Sequence, residues 1–360
     1  MRTGSTISAH AALVAACLSS GCQVEAHGGT VVHAPESGER RLRNVRQLTF
    51  EGQNAEAYFS RNGERLIFQR QVGDSTCDQQ YVIGVDGTGL RRVSRGQGRT
   101  TCGYFLHNDA RILYSSTQHV DVACPAPPDF SRGYVWALYD YDIYTAAPDG
   151  GDLRRLTHGP GYDAEATVSP DGEWIVFTST RDGDLDIYTM RTDGTDVRRL
   201  TTTPGYDGGP FFSPDGTQIV YRAWHPESDD ELADYRGLLA EGLVRPSRME
   251  IWVMNADGAN QRPVTRLGGA NFAPYFHPDG ERVIFASNHH NDDTRSRNFD
   301  LFLVRLDGSG LEQVTTHGEF DGFPMFSPDG SRLVFASNRH GSAPGETNLF
   351  VAEWMESGAP

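Results

Sequence analysis

Four kinds of side chain in this sequence could do chemistry. They are a recurring set of Asp, Asn and Thr, a scatter of histidines, three cysteines beyond Cys22, and loops rich in aromatic rings. The recurring set is the most regular. Eight residues before each copy of a Ser-Pro-Asp-Gly-like turn stands one of Asn54, Thr101, Asp163, Asp207, Asn271 and Asp321. Polar groups converging from repeated units form a ring that could take a cation, a ligand amine or a partner's basic loop. The same residue types at the start of a strand also cap backbone N–H groups, which explains the recurrence equally well.

His119, His158, His225, His289, His290, His317 and His340 are spread along the repeats, and His289-His290 with Asp292-Asp293 is the densest patch. A metal site needs three or four converging ligands, so this dispersion reads as solvated loops. No cofactor is expected, although a bound divalent cation is compatible with the polar ring. Cys77, Cys102 and Cys124 fit one disulfide with one cysteine left over, and all three pairings stay open. A Gly-x-Ser-x-Gly elbow, a His-Glu-x-x-His pair and a phosphate loop are all missing. No catalytic residue is assigned.

Supersecondary repeats must position these groups. The turn Asp recurs at Asp171, Asp215, Asp279 and Asp329, at spacings of 44, 64 and 50 residues. Degenerate copies stand at Ser60-Arg61-Asn62-Gly63 and His107-Asn108-Asp109. Each turn leads into an apolar run, such as Ile175-Val176-Phe177 or Leu333-Val334-Phe335, suited to a strand covered on both faces. A second run follows, for example Ile187-Tyr188, then an Asp-Gly hairpin turn, then Leu or Val before Thr or Ser, as in Leu200-Thr201. The first Leu-Thr, at Leu48-Thr49, precedes any complete repeat, and the last repeat lacks one. The strand around Val45–Thr49 therefore completes the final repeat and removes the open sheet edge. The fold expected is all-β: a six-bladed β-propeller closed by an N-terminal strand.

Ser-Pro-Asp-Gly, an apolar strand, Asp-Ile-Tyr, Asp-Gly and Leu-Thr together resemble the TolB-type propeller repeat, over roughly Val45 to Trp354. The resemblance implies a six-bladed propeller of an exported protein, acting with partners in the cell envelope. TolB carries an α/β domain ahead of its propeller. Only a short segment stands in that place here, so a stand-alone propeller is expected.

Residues 1–22 read as a lipoprotein-type signal peptide ending at Cys22, the residue that would receive lipid. Residues 23–43 read as a flexible tether and 44–356 as the propeller. The chain of 360 residues has no lysine and a formal net charge of −16, so nucleic acid and anionic membrane surfaces are poor partners. The long inserts, Thr117–Asp140 in blade 2 and His225–Arg248 in blade 4, fall on one propeller face. Such one-sidedness often marks the binding face. In the blade 4 insert Ser228 and Glu231 predict a capped helix, with Leu232, Tyr235, Leu239 and Leu243 on one face and Arg245-Pro246 as its stop. The expected protein is a monomeric envelope binding module for a protein or glycan. It would be lipid-anchored in the periplasm or outer membrane, or else secreted. A metal-dependent lyase or hydrolase using the elaborated face is the alternative.

Overall fold

A computed structural model describes residues 26–27, 29–73, 77–106, 108–293 and 296–356. The expected signal peptide and Cys22 lie outside them. Each Ser-Pro-Asp-Gly copy forms the same turn. The Ser hydroxyl accepts the N–H that opens the next strand, at 2.9 Å for Trp174, Gln218 and Arg332. It also meets the turn Asp, at 2.6 Å for Ser213–Asp215 and Ser327–Asp329. The closing glycine takes the left-handed backbone that only glycine adopts freely, with φ +76° at Gly172.

The recurring Leu-Thr has an equally local cause. Its hydroxyl accepts a backbone N–H from the third strand of the same blade and donates to the residue before it. Thr157 bonds Ile143 and Asp142, Thr201 bonds Ile187 and Asp186, and Thr315 bonds Leu301 and Asp300. Thr315→Val keeps the shape and removes the hydroxyl, leaving the Leu301 N–H (2.8 Å in the intact clamp) without an acceptor in a buried site. The expected loss is about 1–3 kcal/mol, read from the urea midpoint.

These units form six antiparallel sheets in a ring. Blade 1 comprises Gln53–Phe59, Arg65–Gln71, Gln79–Gly84 and Arg91–Arg92. The innermost strands of the next five are Thr100–Leu106, Asp163–Val168, Tyr206–Phe212, Asn271–Phe276 and Asp321–Phe326. Each packs against the next, and blade 6 closes onto blade 1. The apolar second strands form the core: Leu66, Ile67 and Phe68 are fully buried, as are Leu333, Val334 and Phe335.

Leu42–Gln47 pairs antiparallel with the last strand, Asn348–Trp354, with Gln47 opposite Phe350 and Leu42 opposite Trp354. The N-terminal closure therefore forms as the displaced Leu-Thr implies. The reading of residues 23–43 as a flexible tether is corrected from Thr30 onward. Thr30–His33 adds a fifth strand to blade 6, paired with Leu42–Gln47, and Ala26–His27 pairs with it in turn. Glu39, inside that stretch, is buried against Arg339.

The blade 4 insert contains the expected helix, Asp229–Ala240, capped by Ser228. Its buried face is Tyr235 and Leu238 rather than the expected row of four, and the helix stops short of Leu243 and Arg245-Pro246. Leu243–Val244 instead forms a two-stranded sheet with Trp136–Ala137 of the blade 2 insert. Arg132 adds an ion pair to Glu241 at 2.9 Å. The two inserts thus meet over blade 3 and build one cap.

Candidate functional site: the capped axial cavity

All six innermost strands carry a bulge at the same place. The bulged residues are Glu56, Cys102, Glu165, Gly209, Ala273 and Phe323, all with φ between +50° and +60°. Five of the six are not glycine, and a left-handed L-residue costs on the order of 1 kcal/mol. The bulge turns these residues toward the propeller axis, where they line one cavity. Two residues further along their strands, Tyr58, Thr167 and Phe211 also line it, and Tyr104 and Tyr275 pack on Tyr58 and Phe211. The Tyr58–Tyr104, Tyr58–Phe211 and Phe211–Tyr275 ring centroids are 5.5, 5.6 and 5.3 Å apart.

The wall from blades 1 to 4 is ionisable. The Cys102 thiol donates to Glu56 Oε2 at 3.1 Å. Glu165 forms a close ion pair with Arg222 and accepts from Thr178 Oγ1 and Gly209 N, both at 2.8 Å. Arg222 Nη2 also donates to the Tyr206 hydroxyl at 2.6 Å. The glycine at 209 is needed for this packing, because a Cβ there would lie 2.1 Å from Arg222 Nη1. The cap reaches the same cluster: the Trp136 ring centroid lies 5.2 Å from the Arg222 guanidinium carbon. Blades 5 and 6 contribute an aromatic wall, in which Phe323 packs on Phe272 at 5.5 Å and on Phe320 at 6.2 Å.

Burial is the main force on the titrating groups. It pushes the Glu56 carboxyl up to about 7, and the Glu165 charge adds to this while the thiol hydrogen bond opposes it. Burial and the charges of Glu56 and Glu165 hold the Cys102 thiol well above its ordinary range. At neutral pH Cys102 is therefore a protonated donor to Glu56, not a thiolate nucleophile.

The polar ring read from the sequence lies behind this cavity. Asn54 Nδ2 donates to Glu51 O and Thr347 O, Asp163 pairs with Arg181, and Asp207 meets His225 Nε2 at 3.0 Å. Asn271 Nδ2 donates to Met249 O, and Asp321 pairs with Arg339. Their partners come from strands of their own or the preceding blade, so these side chains act as strand caps and do not converge on the axis. In blade 2 the equivalent position belongs to Thr100, whose N–H bonds Asp78 O just as Asp163 N bonds Tyr141 O, both at 3.0 Å. Thr101 stands one residue along and donates to Gln69.

Cys77 and Cys124 form the disulfide, and Cys102 is the free thiol. The histidines are divided among blades 2, 4, 5 and 6, with His289 beside His290 and His340 beside His33. His119 contacts Asp142, His290 contacts Asp300 and His317 contacts Glu36, while His289 bonds Ser287 and His340 stacks on His33. Among the described residues no three His, Cys, Asp or Glu side chains are placed to hold a metal together.

The sheet closure and the bulge-lined axial cavity define a six-bladed propeller with a single elaborated face. Residues 126–231 match the Tricorn protease N-terminal β-propeller domain, and residues 243–348 match the TolB β-propeller domain. These two stretches are thus built from TolB-type β-propeller repeats. The chain is similar to the Tol-Pal system protein TolB of Bordetella pertussis, with 48% identity over 42 residues, 11% of this chain and 10% of that protein. The matched stretches thus span only 15% and 10% of the lengths of curated relatives. TolB from Acinetobacter baumannii shares the fold at 17% identity with a TM-score of 0.54, covering 86% of this chain and 65% of that one. An oligogalacturonate lyase in complex with manganese does so at 16% identity with a TM-score of 0.50, covering 87% and 93%.

Proposed function

We propose that this chain is an exported binding module of the cell envelope that takes a protein or glycan on its capped face. The observation that carries this reading is the cap itself. Two inserts from non-adjacent blades are built into one surface beside the cavity, while the opposite face keeps short turns. The cap also presents Phe130 and Tyr134 at 54% and 64% exposure, unusual for large rings outside an interface. A disulfide between blades 1 and 2 supports an oxidising compartment. Periplasmic placement through a lipid on Cys22, or else secretion, fits that chemistry, and the net charge of −16 argues against nucleic acid.

Immobilised protein should retain a defined envelope protein or a peptidoglycan fragment. The double variant Phe130→Asp/Tyr134→Asp should weaken this at least about tenfold, the loss of a small hot spot. Val197→Asp, on the opposite face, should leave it unchanged. Equal losses from both variants would refute the face assignment, and no retention by the unaltered protein would refute the module.

One observation favours a second reading, a lyase or hydrolase. A cavity carboxyl held near pH 7 beside an arginine is the kind of perturbed set found in catalytic clefts. Turnover of a uronate or peptide substrate that disappears in Glu56→Gln would establish it.

A further inference from the structure

We propose that the axial cavity binds a protonated primary amine with a carbonyl group on the carbon that bears it, the pattern shared by free amino-acid amides and peptide N-termini. The inference concerns the cavity beneath the cap and goes beyond the reading of the cap's outer surface.

The cavity lacks one cation. It holds two carboxylates, Glu56 and Glu165, against one guanidinium. Arg222 is already committed to Glu165 and Tyr206, and Glu165 is further bonded by Thr178 and Gly209. The only hydrogen-bond partner of the Glu56 carboxylate among the described residues is the Cys102 thiol, a weak donor. An ammonium group supplies the missing charge and three strong donors.

The cavity also lacks one acceptor, and this observation is independent of the charge count. Arg222 is only 8% exposed, lines the cavity, and has its Nε buried without a partner. A cation alone leaves that N–H unsatisfied, and an anion alone leaves Glu56 unsatisfied. An amine with a neighbouring oxygen answers both. The space is small, about 20 Å³ for a water-sized group, so it takes the ammonium head and the rest of the ligand extends toward the cap, whose Trp136 stands over Arg222. Tyr58, Phe211 and Phe323 line the same space, and an aromatic ring attracts a cation placed over its face.

The ionisable groups facing Glu56 are Cys102 from blade 2, Glu165 from blade 3 and Arg222 from blade 4, with Asp78 and Tyr58 from its own blade. Blades 5 and 6 contribute Ala273 and Phe323, which do not titrate. Ammonium binding needs ionised Glu56. Because the carboxyl sits at about 7, affinity rises with pH below that point and levels off above it.

The test is calorimetric titration of the full chain with glycinamide, with acetamide (no ammonium) and with ethylamine (no oxygen). Glycinamide should bind at least about tenfold tighter than either, the worth of one charge-assisted hydrogen bond. Its affinity should rise roughly tenfold per unit between about pH 5 and 7. Glu56→Gln should lower it at least about tenfold. The pH profile of the unaltered protein stands even if that variant disturbs the cavity. Acetamide matching glycinamide, a flat pH profile, or no binding by any probe would overturn the proposal. Triglycine amide separates the sources: binding equal to glycinamide assigns the socket to peptide N-termini, and binding of glycinamide alone assigns it to free compounds. These probes are too small to report on the cap, so this inference can fail while the envelope-module reading stands.

Discussion

Replacing Arg339 with alanine should lower stability by about 3–5 kcal/mol, read as a shift of the urea midpoint. Arg339 is 2% exposed and its Nη2 donates to Glu39 Oε1 at 2.8 Å and to Asp321 Oδ2 at 2.6 Å. Both carboxylate side chains are fully buried. Burial pushes the Asp321 carboxyl up, and Arg339 is the main charge pulling it back. Removing the guanidinium leaves two buried carboxylates without a counter-charge, the costly half of breaking a buried ion pair. The side chain also packs over Phe335 and Phe350, at 5.0 and 5.9 Å to the ring centroids. Arg339→Lys should recover only part of the loss, since a point charge cannot reach both carboxylates as the planar fork does. A midpoint within about 0.5 kcal/mol of the unaltered protein, the range of surface changes, would show that the triad is solvated and the N-terminal strands are held by pairing alone.

The second large effect is expected from the Cys77–Cys124 bridge. It closes a span of 47 residues, covering the outer half of blade 1 and the inner half of blade 2. Chain-entropy arguments give about 4 kcal/mol for a loop of that length, acting mainly on the unfolded state. Cys77→Ala should therefore lower the unfolding midpoint by about that amount, and reduction should do the same to the native chain. Cys102→Ala is the control, because its thiol is not part of the bridge. If reducing agent shifts Cys102→Ala as much as it shifts the unaltered protein, the bridge is the cause. If reduction shifts neither, the loop is already confined in the unfolded chain.

The ring of blades was legible because each repeat satisfies its own backbone with its own side chains. Ser213-Pro214-Asp215-Gly216 and Leu200-Thr201 are complete hydrogen-bonding devices, so their recurrence fixes strand order. The same regularity misdirected the site reading. Asn54, Asp163, Asp207, Asn271 and Asp321 recur because each blade needs a strand cap, whereas a cavity needs different residues from different blades. A usable signal stood two residues further on, where Glu56, Glu165, Gly209, Ala273 and Phe323 differ from blade to blade within an otherwise constant frame. Their inward turn depends on a bulge, which no alternation pattern announces. In blade 2, Asn108 and Asp109 both have positive φ, so the turn offers two candidate anchors, and the position eight before Asn108 is Thr100 whereas eight before Asp109 is Thr101. The strand at Thr30–His33 escaped notice because only Val31 and Val32 are apolar in a stretch of Gly, His and Glu.

In a ring of repeats each unit touches only its neighbours, and opening can begin at any junction. The pairing of Trp136–Ala137 with Leu243–Val244 changes that accounting. It ties blade 2 to blade 4 directly, so blade 3 cannot peel away unless the bridge above it also breaks. The disulfide extends the tie to blade 1. Four consecutive blades thus behave as one cooperative block, and the seams where the ring can open are confined to the junctions of blades 5 and 6 with each other and with that block.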